Sequence, residues 1–288
     1  MTAPPYPLPH PPPYPPPYPR RHPAPSPAPD GLPWRAGPYA RALRTGRGPL
    51  YLRRSDDGRL LPLEVERWCA GADEADRTVL RRCTGPVLDI GCGPGRLVAA
   101  LAALGRPVLG IDTAPEAVAR TRALGGAALC RSVFGPLPGE GRWGSALLLD
   151  GNIGIGGDPA VLLERVRGLL APGGLLLAEA APEEVEERVE VRLDDGGGDG
   201  GGTQPWFPWA RLGRTALRRR ARAGGWTVVA QWSAYGRSFL ALRGPAERAG
   251  RAERADSRAD TPRTTGAPAA TAAVTSAVTD TASSQERG

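Results

Sequence analysis

The chain has 288 residues, 41% of them hydrophobic, with 39 glycines, 33 prolines and a formal net charge of +7. All 37 cationic side chains are arginines scattered along an Ala-, Gly- and Pro-rich sequence, which reads as the coding bias of a GC-rich genome rather than as a nucleic-acid-binding patch. With no apolar run of about 18 residues and no apolar leader segment, neither a membrane span nor a secretory signal is indicated, and the expectation is a cytoplasmic protein.

Residues 1–37 are dominated by proline, and 244–288 by Ala, Thr, Ser, Arg and Asp without apolar periodicity. Neither composition can build a core, so both are expected to be disordered tails around one domain at 38–243. Pro11–Tyr14 and Pro15–Tyr18 match P-P-x-Y, a polyproline II ligand pattern, and are read as part of the disordered extension. Within 38–85 stand Gly46-Arg47-Gly48, Leu50-Tyr51-Leu52 and a helix expected over Asp73–Cys83.

Val87–Gly95 then reads VLDIGCGPG: a buried strand, an aspartate and three alternate glycines ahead of a helix at Arg96–Leu104, whose Leu97, Leu101 and Leu104 fall at helical spacing before Gly105. Gly91, Gly93 and Gly95 allow a sharp turn and close backbone approach to a ligand, and the following helix start favours negative charge. The dinucleotide fingerprint is G-x-G-x-x-G, whereas this chain has D-x-G-x-G-x-G. That spacing favours S-adenosylmethionine over NAD, and Pro86–Gly95 resembles motif I of the class I S-adenosylmethionine-dependent methyltransferases, in a bacterial-looking composition.

The rest of the pattern follows in order. A second strand, Arg106–Asp112, ends in an acid; Thr113-Ala-Pro-Glu116 reads as a capping box for a helix closed by Gly125; strands follow at Ala127–Arg131 and Ser145–Asp150. Asp158-Pro159 opens a helix with Leu162, Val166 and Leu169 on one stripe, and Leu169–Leu177 resembles the family's Pro-Gly-Gly turn and fifth strand. Arg188–Leu193 alternates as a half-exposed strand, followed by a glycine run and a loop carrying Trp206-Phe207-Pro208-Trp209. A helix with Leu212, Ala216 and Ala223 inward and Arg218, Arg219, Arg220 and Arg222 on a solvated face precedes two strands, Trp226–Trp232 and Ser238–Leu242, joined at Tyr235-Gly236. These last two resemble the family's sixth strand and antiparallel seventh. The expected fold is α/β: a Rossmann-like, seven-stranded, mostly parallel sheet with an antiparallel last strand and helices on both faces.

The resemblance implies a cofactor site made of Asp89, Gly91, Cys92, Gly93 and Gly95 in the turn, with Asp112 gripping the ribose hydroxyls. Where many relatives place an acid at the adenine, this chain has Arg131-Ser132-Val133-Phe134, leaving Ser132 and Val133 as adenine contacts. Asp150, at the end of the fourth strand, is placed against the cofactor or the acceptor. Acceptor contacts are expected from Asn152, Trp206, Trp209 and Tyr51, the tryptophans either closing over the acceptor or plugging the sheet end, with 38–85 as a lid and 181–210 as an insertion. If the acceptor needs a base, the candidates are Asp150, Glu179 and Tyr235; Asp158 is better explained as a helix cap. Both histidines, His10 and His22, are in the first tail, and cysteines 69, 83, 92 and 130 form no C-x-x-C pair, so neither a metal nor a disulfide framework is indicated. The segment DGNIGIGGD lacks the N-P-P-Y tetrad of exocyclic-amine nucleic-acid methyltransferases. The reading is therefore methyl transfer to a small-molecule acceptor, with no nucleic-acid, membrane or obligate protein partner. A nicotinamide oxidoreductase and a non-catalytic binding domain of the same fold are the alternatives.

Overall fold

The computed structural model describes residues 33–34, 37–197 and 204–246; the expected disorder of the two tails, and most of the glycine run, fall outside the described residues. The first elements are α1 (Pro38–Thr45), β1 (Tyr51–Arg54), β2 (Leu60–Pro62), α2 (Val65–Cys69) and α3 (Glu74–Leu80). Then comes the alternation read from the sequence: β3 (Val87–Ile90), α4 (Arg96–Ala103), β4 (Val108–Asp112), α5 (Pro115–Ala123), β5 (Ala128–Cys130), β6 (Trp143–Leu148), α6 (Pro159–Leu169) and β7 (Leu170–Ala180). The chain continues through β8 (Glu186–Asp194), β9 (Phe207–Leu212), α7 (Arg214–Ala223), β10 (Thr227–Ala234) and β11 (Arg237–Arg243).

Seven strands form one sheet in the order β10-β11-β7-β6-β3-β4-β5, with β11 antiparallel to both neighbours and the pairs from β7 to β5 parallel. The central strands are apolar because helices cover both faces: all four residues of β3 are buried, as are Leu162, Val166 and Leu169 of α6. Each such leucine or isoleucine contributes roughly 1.5–3 kcal/mol. The Pro-Gly-Gly segment does not precede the fifth strand of the alternation; it makes a register shift inside β7, between the Trp143–Leu170 and Ser145–Leu175 pairings. No helix among the described residues is long and apolar enough to cross a membrane.

Three helix details differ from the sequence reading. Helix α5 has Ala114 as its N-cap and no side-chain cap; Asp112, not Thr113, accepts the Ala114 N–H, at 2.8 Å. A reciprocal capping box instead starts α3, with Asp73 and Asp76 each accepting the other's backbone N–H. Leu104 and Ala223 lie in the exposed last turns of their helices, while Val98 and Leu217 take inward places. Asp158 caps α6 as expected.

The larger difference is a second sheet. β1 and β2, from the region before the first parallel strand, pair with β8 and β9 from the insertion in the antiparallel order β2-β1-β8-β9. The segment expected to be a tryptophan-bearing loop is thus a strand from Phe207 onward, and Pro208 is tolerated there because β9 is an edge strand. Trp34, assigned by sequence to the first tail, belongs with this sheet: its ring packs against Tyr39, Phe207 and Trp209 at 5.1, 5.5 and 6.0 Å between centroids.

Candidate active site

All parallel strands end at one edge, and the turn after β3 is built there. Gly91, Gly93 and Gly95 have φ of 71°, 53° and 93°, the left-handed region open to residues without a Cβ. A Cβ on Gly91 would also lie 2.6 Å from Asn152 Nδ2, which donates to the carbonyls of Ile90 and Gly91 at 2.9 and 3.0 Å. The Gly91 and Cys92 amides bond to Ile111 at the end of β4, and the Gly93 amide donates to Asp112 Oδ2 at 2.9 Å. Glycine turn and Asp112 are thereby one rigid unit, and burial pushes the Asp112 carboxyl above its ordinary value.

Beneath the turn, Asp89 is 2% exposed and its Oδ2 has no partner among the described residues. Burial pushes this carboxyl up to about 7, with Arg96 opposing and Asp150, Asp112 and Asp76 reinforcing.

On the β6 and β7 side of the edge, acids and arginines interlock. Arg96, first residue of α4, donates Nε and Nη2 to Asp76 at 2.8 and 3.0 Å and Nη1 to Asp150 at 2.6 Å. Arg237, first residue of β11, grips both oxygens of Glu179 at 2.8 Å and reaches Asp76 at 2.8 Å and Asp150 at 3.2 Å. Arg67 of α2 adds a 2.6 Å bond from Nη1 to Asp150 Oδ1. Burial opposes ionisation of Asp150, but Arg96, Arg67 and Arg237 outweigh it and hold the carboxyl below its ordinary value; the same contest, with Arg96 and Arg237, leaves Asp76 at about 2. Asp150 also has a φ of 56°, unusual for a residue with a side chain, and its N–H donates to Glu179 Oε2 at 2.7 Å.

The structure therefore gathers Asp89, Gly91, Gly93, Gly95, Asp112, Asp150, Asn152 and Glu179 at one edge, and it separates others. The Cys92 side chain does not line the cleft: it turns into a small core with Val98, Val118 and Ala128. Val133 is likewise in the main core, while Ser132 is half-buried beyond β5, its hydroxyl accepting the Phe134 amide at 3.2 Å. Tyr235 is 77% exposed in the hairpin turn of the outermost strand, away from the glycine turn, with a φ of 50° that marks a turn residue. Tyr51 is in the second sheet beside Gly196, and Trp206 is exposed with Arg192 over its ring at 4.8 Å. Trp209 is buried, stacked edge-on against Phe207; a Cβ on Gly154, just after Asn152, would meet its ring at 2.7 Å.

Arg67, Arg96, Arg237, Asp76 and Tyr39 are the residues the sequence reading missed. Arg96 directly follows the turn, and Asp76 sits in a capping pattern; both were visible signals. Tyr39 carried none: it is buried, a Cβ on Gly93 would lie 3.8 Å from its hydroxyl, and burial with nearby Asp112 raises its pKa. The expected arginine cluster of α7 is a solvated face as read, with Arg219 and Arg220 paired to Glu186.

Residues 87–174, from β3 to the glycines of β7, match the family model described as a methyltransferase domain. The likeness to a methyltransferase domain spans this segment, under a third of the chain. Among solved structures, an S-adenosylmethionine-dependent methyltransferase from Bacteroides fragilis in complex with S-adenosyl-L-homocysteine shares 21% identity and a TM-score of 0.58, over 74% of this chain and 97% of that one. That similarity extends the shared fold beyond the matched segment. A Burkholderia thailandensis 1,6-didemethyltoxoflavin-N1-methyltransferase also aligns, at 21% identity over 56% of this chain and 72% of that one, with a TM-score of 0.42. No curated protein sequence matches the chain.

Proposed function

We propose that this methyltransferase domain binds S-adenosylmethionine on the β3–β4 side of the edge and transfers its methyl group to a small-molecule acceptor in the cytoplasm. The observation that carries the reading is the Gly93–Asp112 unit: a glycine turn without side chains, fused by a 2.9 Å bond to a carboxylate at the end of the next strand. Such a carboxylate accepts hydrogen bonds from a pair of ribose hydroxyls, and the turn leaves room for the remainder of the ligand. The B. fragilis relative was crystallised with S-adenosyl-L-homocysteine, which supports the same ligand class here. The chemistry when bound is an in-line displacement at a sulfonium methyl, and alignment of the two substrates is the main contribution the protein has to make.

In this reading residues 38–85, as a lid, and 181–210, as an insertion, form the cap over this edge. Tyr39 on the glycine turn, Arg67 on Asp150 and Trp209 on Gly154 are among its contacts with the rest of the domain. The test is calorimetric titration of the full chain with S-adenosylhomocysteine, S-adenosylmethionine and NAD. Tight binding of the two adenosyl ligands alone is expected, with Asp112→Ala losing on the order of 10–100-fold in affinity through roughly 1.5–3 kcal/mol of charge-assisted hydrogen bonding. Preferential NAD binding rejects the reading, and an unchanged affinity in the variant rejects the ribose role of Asp112.

A further inference from the structure

Polar groups left over at the site are not distributed evenly. On the sheet side they are acceptors: Asp89 Oδ2, and Glu116 Oε2 in the first turn of α5, are buried without a partner among the described residues. On the cap side they are donors. Arg67 uses only Nη1, on Asp150, so its Nε and Nη2 have no partner among the described residues, and the buried indole N–H of the adjoining Trp68 has none either.

The acids beside Arg67 have the opposite character: each is already committed. Asp76 is held by Arg96 and Arg237, Asp150 by Arg67, Arg96 and Arg237, and Glu179 by both nitrogens of one face of Arg237. Taking up a proton on Asp76 or Asp150 would give up part of this charge pairing, and the arginines hold both carboxyls below their ordinary value. Asp89 and Asp112 lie beneath and beside the glycine turn, on the side given to the cofactor. Tyr235 is turned to solvent. An alcohol acceptor, whose proton is held far above neutral pH, would need a base that this wall does not supply, and an amine arrives protonated at neutral pH, as lysine does at about 10.4. A carboxylic acid, with a pKa of about 4, arrives already ionised.

We infer that the acceptor is a carboxylate, held by the free donors of Arg67 and methylated on oxygen. The step is balanced without proton transfer: a carboxylate oxygen forms a bond to the methyl carbon, the sulfur–carbon bond breaks, and its electron pair stays on sulfur, converting sulfonium to thioether and carboxylate to methyl ester. Arg67 supplies orientation and charge through Nε and Nη2 while Nη1 stays on Asp150. The inference rests on the function proposed above.

The experiment uses the full chain, methyl-labelled S-adenosylmethionine and a panel of aliphatic and aromatic monocarboxylic and dicarboxylic acids with their matched alcohols, amines and amides. Label is expected on acids alone, and mild alkali is expected to release it as volatile methanol. Arg67→Gln is expected to lower kcat/KM for the acid at least tenfold, with S-adenosylhomocysteine affinity within twofold of wild type and a retained cooperative melting transition as the control for folding; Arg67→Lys is expected to restore part of the rate. Alkali-stable label on an amine or alcohol overturns the inference. So does a tenfold loss of S-adenosylhomocysteine affinity in Arg67→Gln, which would place the anion on the cofactor. Failure of the wild-type chain to bind S-adenosylhomocysteine instead rejects the underlying function.

Discussion

Two regions of this molecule meet at the candidate site and are held by different forces. The carboxyl edge of the parallel sheet is a directional lattice: Arg96, 6% exposed, and Arg237 tie α3, α4, β6, β7 and β11 together through Asp76, Asp150 and Glu179. The cap gives that lattice one guanidinium, Arg67 on Asp150, carries its own partly exposed ion pairs such as Arg53–Asp194 and Arg54–Glu187, and packs the rings of Trp34, Tyr39, Phe207 and Trp209 together. Buried ion pairs fix geometry but are costly when one partner is missing, whereas aromatic packing tolerates rearrangement at lower cost. A rigid floor under an adjustable cap is the arrangement that lets one face hold a constant ligand and the other admit a changing one.

The contrast can be broken most severely at Arg96. Arg96→Met keeps the volume but removes the two-bond partner of Asp76, leaving it Arg237, and one of the three partners of Asp150, and a loss on the order of 3–5 kcal/mol in urea unfolding is expected. A loss below about 1 kcal/mol would show that charge does not hold the floor.

Asp89 sharpens the comparison through pH. A buried carboxyl pushed up to about 7 binds its proton more tightly in the folded than in the unfolded chain, where a value of about 4 applies. Its burial penalty is therefore absent near pH 4 and grows as pH rises to about 7, so stability falls across that window. Asp89→Asn removes the penalty, and the variant is expected to match wild type near pH 4 and exceed it by roughly 2–4 kcal/mol above pH 7. A difference independent of pH would mean the carboxyl ionises normally under the turn.

The smallest effect belongs to the cap. Trp34→Ala, or a chain beginning at Ala36, removes three ring contacts worth roughly 1–2 kcal/mol together. Thermal melting is expected to move by a few degrees, while S-adenosylhomocysteine affinity stays near wild type. A loss of affinity comparable to that of Asp112→Ala would make the cap part of the floor.

The sequence by itself determined the parallel sheet, because each of its parts is local. A glycine turn announces itself within nine residues, an apolar strand within five, and crossovers between neighbours in the chain leave few topologies open. The floor residues on those strand ends, Gly91, Gly93, Asp112, Asp150 and Glu179, were legible for the same reason. What the tertiary structure decided is everything that depends on partners far apart in sequence. β1 pairs with β8 across about 140 residues, and no periodicity in Tyr51–Arg54 specifies that partner. The candidate bases could be named from their positions, but their commitment to Arg67, Arg96 and Arg237 could not be read, since a carboxylate's role is set by charges that the fold brings to it from α2, α4 and β11. Likewise Cys92 looked like a wall of the cleft because of its place in the motif, and only the turn's geometry, which aims its side chain at Val98, Val118 and Ala128, decides that it is core.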